Sequence, residues 1–119
     1  MSDKGNSMSK KRIIVEMGAG NDLHGGDYTK AAIRACDDAL HHSSMTFVRT
    51  LDVDTSKLIV EVMVGVQKPE EVDLAAVEAR FPIGQVKVSA KKGGLDVYDD
   101  SGDDVAVIAS AAVVVSIHA

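Results

Sequence analysis

Between residues 57 and 67 the side chains alternate: Leu58, Val60, Val62, Val64 and Val66 fall on one side, and Ile59, Glu61, Met63 and Gly65 on the other. A period of two with one apolar side is the mark of a half-buried strand, and this is the clearest strand in the chain. The run Arg12-Ile13-Ile14-Val15 is unbroken and β-branched, which predicts a first strand over 11–17, covered on both faces and ended by a Gly18-Ala19-Gly20 turn. Over 28–42 the period changes. Tyr28, Ala32, Ala35, Cys36, Ala39 and Leu40 share one side of a helix, while Lys30, Arg34, Asp37, Asp38 and His41 share the other. Asp27 precedes this run and can cap its free amides. The alanine side predicts close packing on a sheet. The charged side predicts exposed pairs of Lys30 with Asp37 and Arg34 with Asp38, and Lys30 in the first turn can also reach the preceding loop.

Further along, 45–51 reads as a strand joined to 57–67 by a polar turn, forming an antiparallel hairpin. Lys68-Pro69-Glu70-Glu71 opens a second helix that Pro82 stops. A strand follows over 85–89, then a loop over 90–94, a short strand over 95–98, an exposed acidic turn over 99–104, and 105–118 as one long strand or two sheet segments. The order β-α-β-β-α-β(β) predicts an α+β two-layer sandwich, with one mixed four- to five-stranded sheet and two helices on one face. The other sheet face is left bare. Residues 109–117 are too apolar to meet water, so that face is expected to pack on other subunits, most simply in a closed homotrimer. Residues 1–9 read as a disordered polar leader and 10–119 as a single α+β domain.

Composition narrows the function classes. A net charge of −5, with aromatics at only 3%, leaves neither a basic footprint nor a stacking platform for nucleic acid. The lone cysteine, Cys36, cannot form an internal disulfide and sits in the apolar helical stripe, so it reads as a buried structural thiol. No signal peptide follows the basic residues near the start, and the apolar end of the chain is too short to cross a bilayer as a helix. A cytoplasmic protein without membrane contact is expected.

Chemistry concentrates in the stretch from Glu16 to Lys30. Asp22, His24 and Asp27, with Glu16, are residue types that hold transition metals, but their spacing matches no ligand signature and no metal is assigned. A strand, a glycine loop and a helix start can hold an anion, yet neither the dinucleotide nor the Walker pattern is present, and Asp22 and Asp27 repel phosphate. No cofactor is called for. What remains is a small polar ligand held by Gly18, Gly20, Asp22, Gly25, Gly26 and Asp27. Ser89, beside Lys91 and Lys92, is a candidate nucleophile with a lysine as base, and His24 is the alternative base. Lys30 stands at the loop's end. A solvated turn with surface lysines is the plain reading of 89–94, and a non-catalytic assembly or ligand-binding protein is the plain reading of the whole.

Two resemblances rest on these residues. The run Arg12-Ile13-Ile14-Val15-Glu16-Met17-Gly18, with Gly20, Asp22-Leu23-His24-Gly25, Asp27 and Thr29-Lys30-Ala31-Ala32, resembles a family of uncharacterised bacterial proteins of about this length. More distantly, the glycine loop followed by Asp27-Tyr28-Thr29-Lys30 is similar to the opening of one repeat of the ring-opening cyclic amide hydrolases, the cyanuric acid hydrolase and barbiturase family. Those enzymes set three repeats around a pseudo-threefold axis, with serine and lysine pairs at the centre. The resemblance implies a homotrimer with sites between subunits and amide or imide hydrolysis. Val86-Lys87-Val88-Ser89 before Gly93-Gly94 is similar to the strand presenting that family's serine, which makes Ser89 the implied nucleophile. The family's catalytic lysine lies in the loop after the first strand. Residues 18–26 contain no lysine, so Lys91, Lys92 or Lys30 would have to take its place.

Overall fold

The computed structural model describes residues 10–41 and 54–118. The expected leader, and the expected strand over 45–51 with its hairpin, lie outside the described residues. Five strands form one mixed sheet: β1 (Lys10–Asp22), β2 (Leu58–Val66), β3 (Gln85–Lys92), β4 (Leu95–Tyr98) and β5 (Val105–His118). The order is β1-β5-β2-β3. β5 runs antiparallel to both its neighbours, and β2 and β3 are parallel. Helix α1 (Tyr28–His41) lies across β1, β5 and β2 and touches α2 (Leu74–Glu78), which packs on β3. Both helices therefore cover one face, as the two-layer α+β reading expects.

The valine alternation builds the core. Val60 stands opposite Val115, Val62 opposite Val113 and Val64 opposite Ala111, all pointing at the helices and all at most 4% exposed. Burying one valine side chain contributes roughly 1.5–3 kcal/mol, so this ladder concentrates the stabilisation in the centre of the sheet. The 105–118 segment is one strand rather than two. It is long enough to pair with β1 along one side and, along the other, with β4 over Val105 to Ile108 and then β2 over Ser110 to Ile117.

Four expectations are corrected. The first strand does not stop at Gly18-Ala19-Gly20. It continues to Asp22, because Gly18 and Gly20 point at α1, where a Cβ on Gly20 would lie 2.2 Å from Ala35 N. Nor is that strand covered on both faces, since Val15 is 46% and Met17 70% exposed. The second helix is interrupted. Pro69–Glu71 is a single 3-10 turn, Val72 is extended, and Asp73 then caps the short α2 by accepting from Ala76 N at 3.2 Å. β3 runs through Ala90 to Lys92, so the expected loop shrinks to Gly93-Gly94.

Asp37 pairs outside its own helix, and Arg34 and Asp38 each bond the β1 backbone. Asp37 takes the Arg80 guanidinium through both nitrogens Nε and Nη2, at 3.1 and 3.0 Å. Arg34 Nη1 donates to Asn21 O at 2.7 Å, and Asp38 accepts from Ala19 N at 2.9 Å. The last two occupy backbone groups on the edge of β1 away from β5. Closing an edge in this way outweighs an exposed pair along the helix, whose worth is only about 0.2–0.5 kcal/mol.

Candidate functional site

The outer sheet face has no layer over it among the described residues. Because side chains alternate, the residues there are the ones between the core positions: Val15, Met17 and Ile108 are 46%, 70% and 39% exposed, and Met63 is 36% exposed. On β3 the same rule brings Lys87, Ser89 and Lys91 to this face, in register with Glu61, Met63 and Gly65 of β2. Consecutive members of that row are roughly 6–7 Å apart along the strand, so a lysine ammonium on a long stem can reach the serine hydroxyl. Beside them lies a depression of about 210 Å³ lined by Met17, Met63, Gly65, Lys91, Ser110 and Ala112. It offers one lysine amine and one hydroxyl in an apolar floor.

The glycine loop lies elsewhere. Asp22 points to the helix side, is 4% exposed, and accepts from Asp27 N at 3.0 Å. Lys30 Nζ and Arg34 Nη1 stand 3.9 and 3.7 Å from it and supply counter-charge to a buried carboxylate. Lys30 thus does reach back to the preceding loop. Asp27 accepts from Lys30 N at 3.0 Å, the cap expected of it. Gly25 and Gly26, with φ of 92° and 63°, make the turn that no other residue type adopts easily.

Asp104, read in the sequence only as part of an exposed acidic turn, clasps this loop. It accepts from Gly25 N at 2.9 Å through Oδ1 and from His24 Nδ1 at 2.9 Å through Oδ2. The Gly25 amide and then the His24 contact hold its carboxyl below the ordinary aspartate value of 3.8. A lowered folded value means that this contribution is complete above 3.8 and is lost as the pH falls through the lower folded value. In an NMR pH titration the Gly25 amide resonance should show an acidic step with a midpoint below 3.8, whereas an acidic midpoint at or above that value would remove the clasp. No local signal could have revealed Asp104, which is 80 positions from His24.

Three loop amides, those of Gly25, Asp27 and Lys30, are already occupied by Asp104, Asp22 and Asp27. Gly18 and Gly20 face the α1 backbone. The loop is therefore tied to its own carboxylates. Nearby, Tyr28 donates its hydroxyl to Asp96 on β4. Burial first, and the carboxylate second, raise the phenol well above its usual value and keep it a donor. Asp96 Oδ1 is buried with no partner among the described residues. Cys36 is fully buried, and burial pushes its thiol up to about 12, which leaves it unreactive near neutral pH.

The four candidate catalytic residues thus separate within one chain. Ser89 and Lys91 share the outer face, Lys30 lies in the helical layer on the other side of the sheet, and His24 lies at the loop with Asp104. Among the described residues, no group of three or more His, Cys, Asp or Glu side chains stands close enough to hold a metal ion. No helix among them is long and apolar enough to cross a membrane.

Comparison with known proteins places these features in a wider set. A family model described as "Conserved hypothetical protein (Lin0512_fam)" matches residues 12–115. The crystal structure of an FtsZ-like protein of unknown function from Nostoc punctiforme is similar over 95% of this chain and 100% of its own. The two share 36% sequence identity and a TM-score of 0.81. The search of curated proteins returned no match.

Proposed function

The chain belongs to the Lin0512 family of conserved hypothetical proteins, and from that premise we propose that it works as a homo-oligomer, most simply a trimer, with a small-molecule site on the outer sheet face between subunits. The observation that carries this reading is the face itself. Val15, Met17, Met63 and Ile108 are held in a rigid sheet with nothing over them among the described residues, around a depression that contains Lys91 and Ser110. Contiguous apolar surface of this kind marks contact with a partner, and a second copy of the chain supplies the same apolar face in return.

The reaction we assign to the site is hydrolysis of a small cyclic amide or imide. Ser89 attacks the carbonyl while the neutral amine of Lys91, next to it on the same face of β3, takes the hydroxyl proton and passes it to the ring nitrogen as the C–N bond breaks, and water then releases the acyl group from Ser89. The resemblance to the cyclic amide hydrolases and the Lys87-Ser89-Lys91 row support this assignment. Lys91 then fills the role for which residues 18–26 have no lysine. A neighbouring chain supplies the donors for the developing oxyanion, since the glycine loop lies away from Ser89 in the same chain.

The engagement of the loop amides by their own carboxylates favours a second reading, a non-catalytic ligand-binding or assembly protein, and one set of experiments separates the two. Light scattering is expected to give a multiple of the 12.5 kDa chain mass, and a monodisperse monomer would sink the shared site. In a screen of cyclic imides, Ser89→Ala should lower turnover by roughly a thousandfold or more. Turnover that survives the substitution removes Ser89 as nucleophile. An oligomer that turns over no cyclic imide establishes the second reading.

A further inference from the structure

A second cavity lies between the glycine loop and the acidic turn, where neither the core nor the outer-face depression reaches. It holds about 280 Å³. Ala106 on its floor and Ser110 of the outer-face depression lie about 13 Å apart along β5, so the two are separate places. Its apolar walls are Leu23, Val97 and Tyr98, which remain 61%, 49% and 55% exposed, and its polar groups are His24, Asp99 and Asp104.

An ionised carboxylate only accepts, so the 2.9 Å contact of Asp104 with His24 Nδ1 puts the ring proton on Nδ1. In the neutral ring the other nitrogen, Nε2, is the acceptor, the usual consequence of a carboxylate behind an imidazole. Among the described residues no lysine or arginine lines the cleft. Asp99 and Asp104 are both stabilised as anions, the first by Ser101 and the second by Gly25. An anionic ligand meets repulsion here, whereas a cation meets two carboxylates, an imidazole and the ring of an exposed tyrosine. A cation over such a ring gains about 0.5–1 kcal/mol at an exposed site.

We propose that this cleft binds a small organic cation. An ammonium group on an alkyl or aryl body would donate to His24 Nε2 beside Asp99 and Asp104, with the body against Leu23, Val97 and Tyr98. Ala106 shares the side of β5 with Ile108, so the cleft lies at the rim of the outer sheet face, and the proposal rests on this rim staying open when the centre of that face is covered.

The test uses the full chain, uniformly labelled with nitrogen-15, titrated near neutral pH with benzylammonium chloride and, in parallel, with benzyl alcohol and benzoate. Saturable amide shifts are expected at Leu23, His24, Gly25, Val97, Tyr98 and Val105 with benzylammonium. The alcohol should bind about threefold to fivefold more weakly, and benzoate not at all. His24→Ala and Tyr98→Leu should each weaken benzylammonium about threefold while leaving the β2 and β3 resonances in place. Equal binding of all three probes would reveal an unselective apolar surface and overturn the proposal. So would the absence of saturable shifts, or shifts centred on Met63, Ser110 and Ala112.

Discussion

Replacing Gly20 by alanine is expected to destabilise the fold by about 3 kcal/mol, at the upper end of what overpacking costs. Away from any contact the same change in a strand would be favourable, because alanine loses less backbone freedom on folding than glycine, by roughly 0.5–1 kcal/mol. Here a Cβ would stand 2.2 Å from Ala35 N, 2.6 Å from Arg34 C and 2.7 Å from Ala31 O, all of them helix backbone. The helix cannot easily withdraw. Its start is tied to α2 by Thr29 Oγ1, which accepts from Asp73 N at 2.9 Å, and its middle by the Asp37–Arg80 pair at 3.0 Å. Urea unfolding followed by far-ultraviolet circular dichroism measures the effect. An Ala19→Ser control on the exposed side of the same strand should stay within about 0.5 kcal/mol of the parent. A Gly20→Ala midpoint no lower than the parent's would mean that the strand and helix are not packed backbone to backbone.

Gly94→Ala should cost about as much, for a different reason. The chain leaves β3 outside β2, crosses the end of β2 and joins β5 as β4, and Gly93-Gly94 is the crossing step. Gly93 N donates to Val66 O at 2.9 Å, and Gln67 Nε2 donates to the carbonyls of Gly93 and Gly94 at 3.1 and 3.2 Å. Gly94 has φ of 64°, and a Cβ there would meet Ile108 O at 2.1 Å and Gly65 O at 2.9 Å. Left-handed backbone costs an alanine roughly 1–2 kcal/mol, and the collision adds roughly 1–3 kcal/mol. Gly102 is the matched control, with φ of 76° and nothing within 4 Å of its Cβ position, so Gly102→Ala should lose only the backbone share. Hydrogen exchange then locates the damage. In Gly94→Ala the β4 amides should lose protection before those of β2, and equal losses for the two substitutions would show that the crossing is not tightly packed.

The cost of these two glycines bears on function. Gly18 and Gly20 invited reading as ligand-binding backbone, because a glycine beside polar residues looks the same in sequence whether a ligand or a helix approaches it. The close neighbours of Gly18, Gly20 and Gly94 are the protein's own backbone, and Gly93 lies against Gly65. Similarly, Asp22, Asp27 and Asp104 each accept from a backbone amide of the loop or of the first turn of α1, which ties down the loop that carries His24.

Local regularities were legible. The period-two alternation over 57–67 is β2 with its five core positions, the 3.6-residue stripe is α1, Asp27 is its cap, and the polar stretch over 99–104 is a turn. The two-layer α+β plan with one bare sheet face follows from counting these elements. Each depends on neighbours a few positions apart, which is the range over which a sequence pattern acts. Tertiary structure alone decided that β1 passes through two glycines to Asp22, that Arg34 and Asp38 close its outer edge, and that β4 continues the line of β2 along β5. It alone brought Asp104 to His24 and set Ser89 and Lys91 on the face opposite Lys30. These are contacts between residues far apart in the chain. They are chosen by whether two surfaces can close without a Cβ between them and whether each buried amide and carboxylate finds its partner, and neither condition is written in any one stretch.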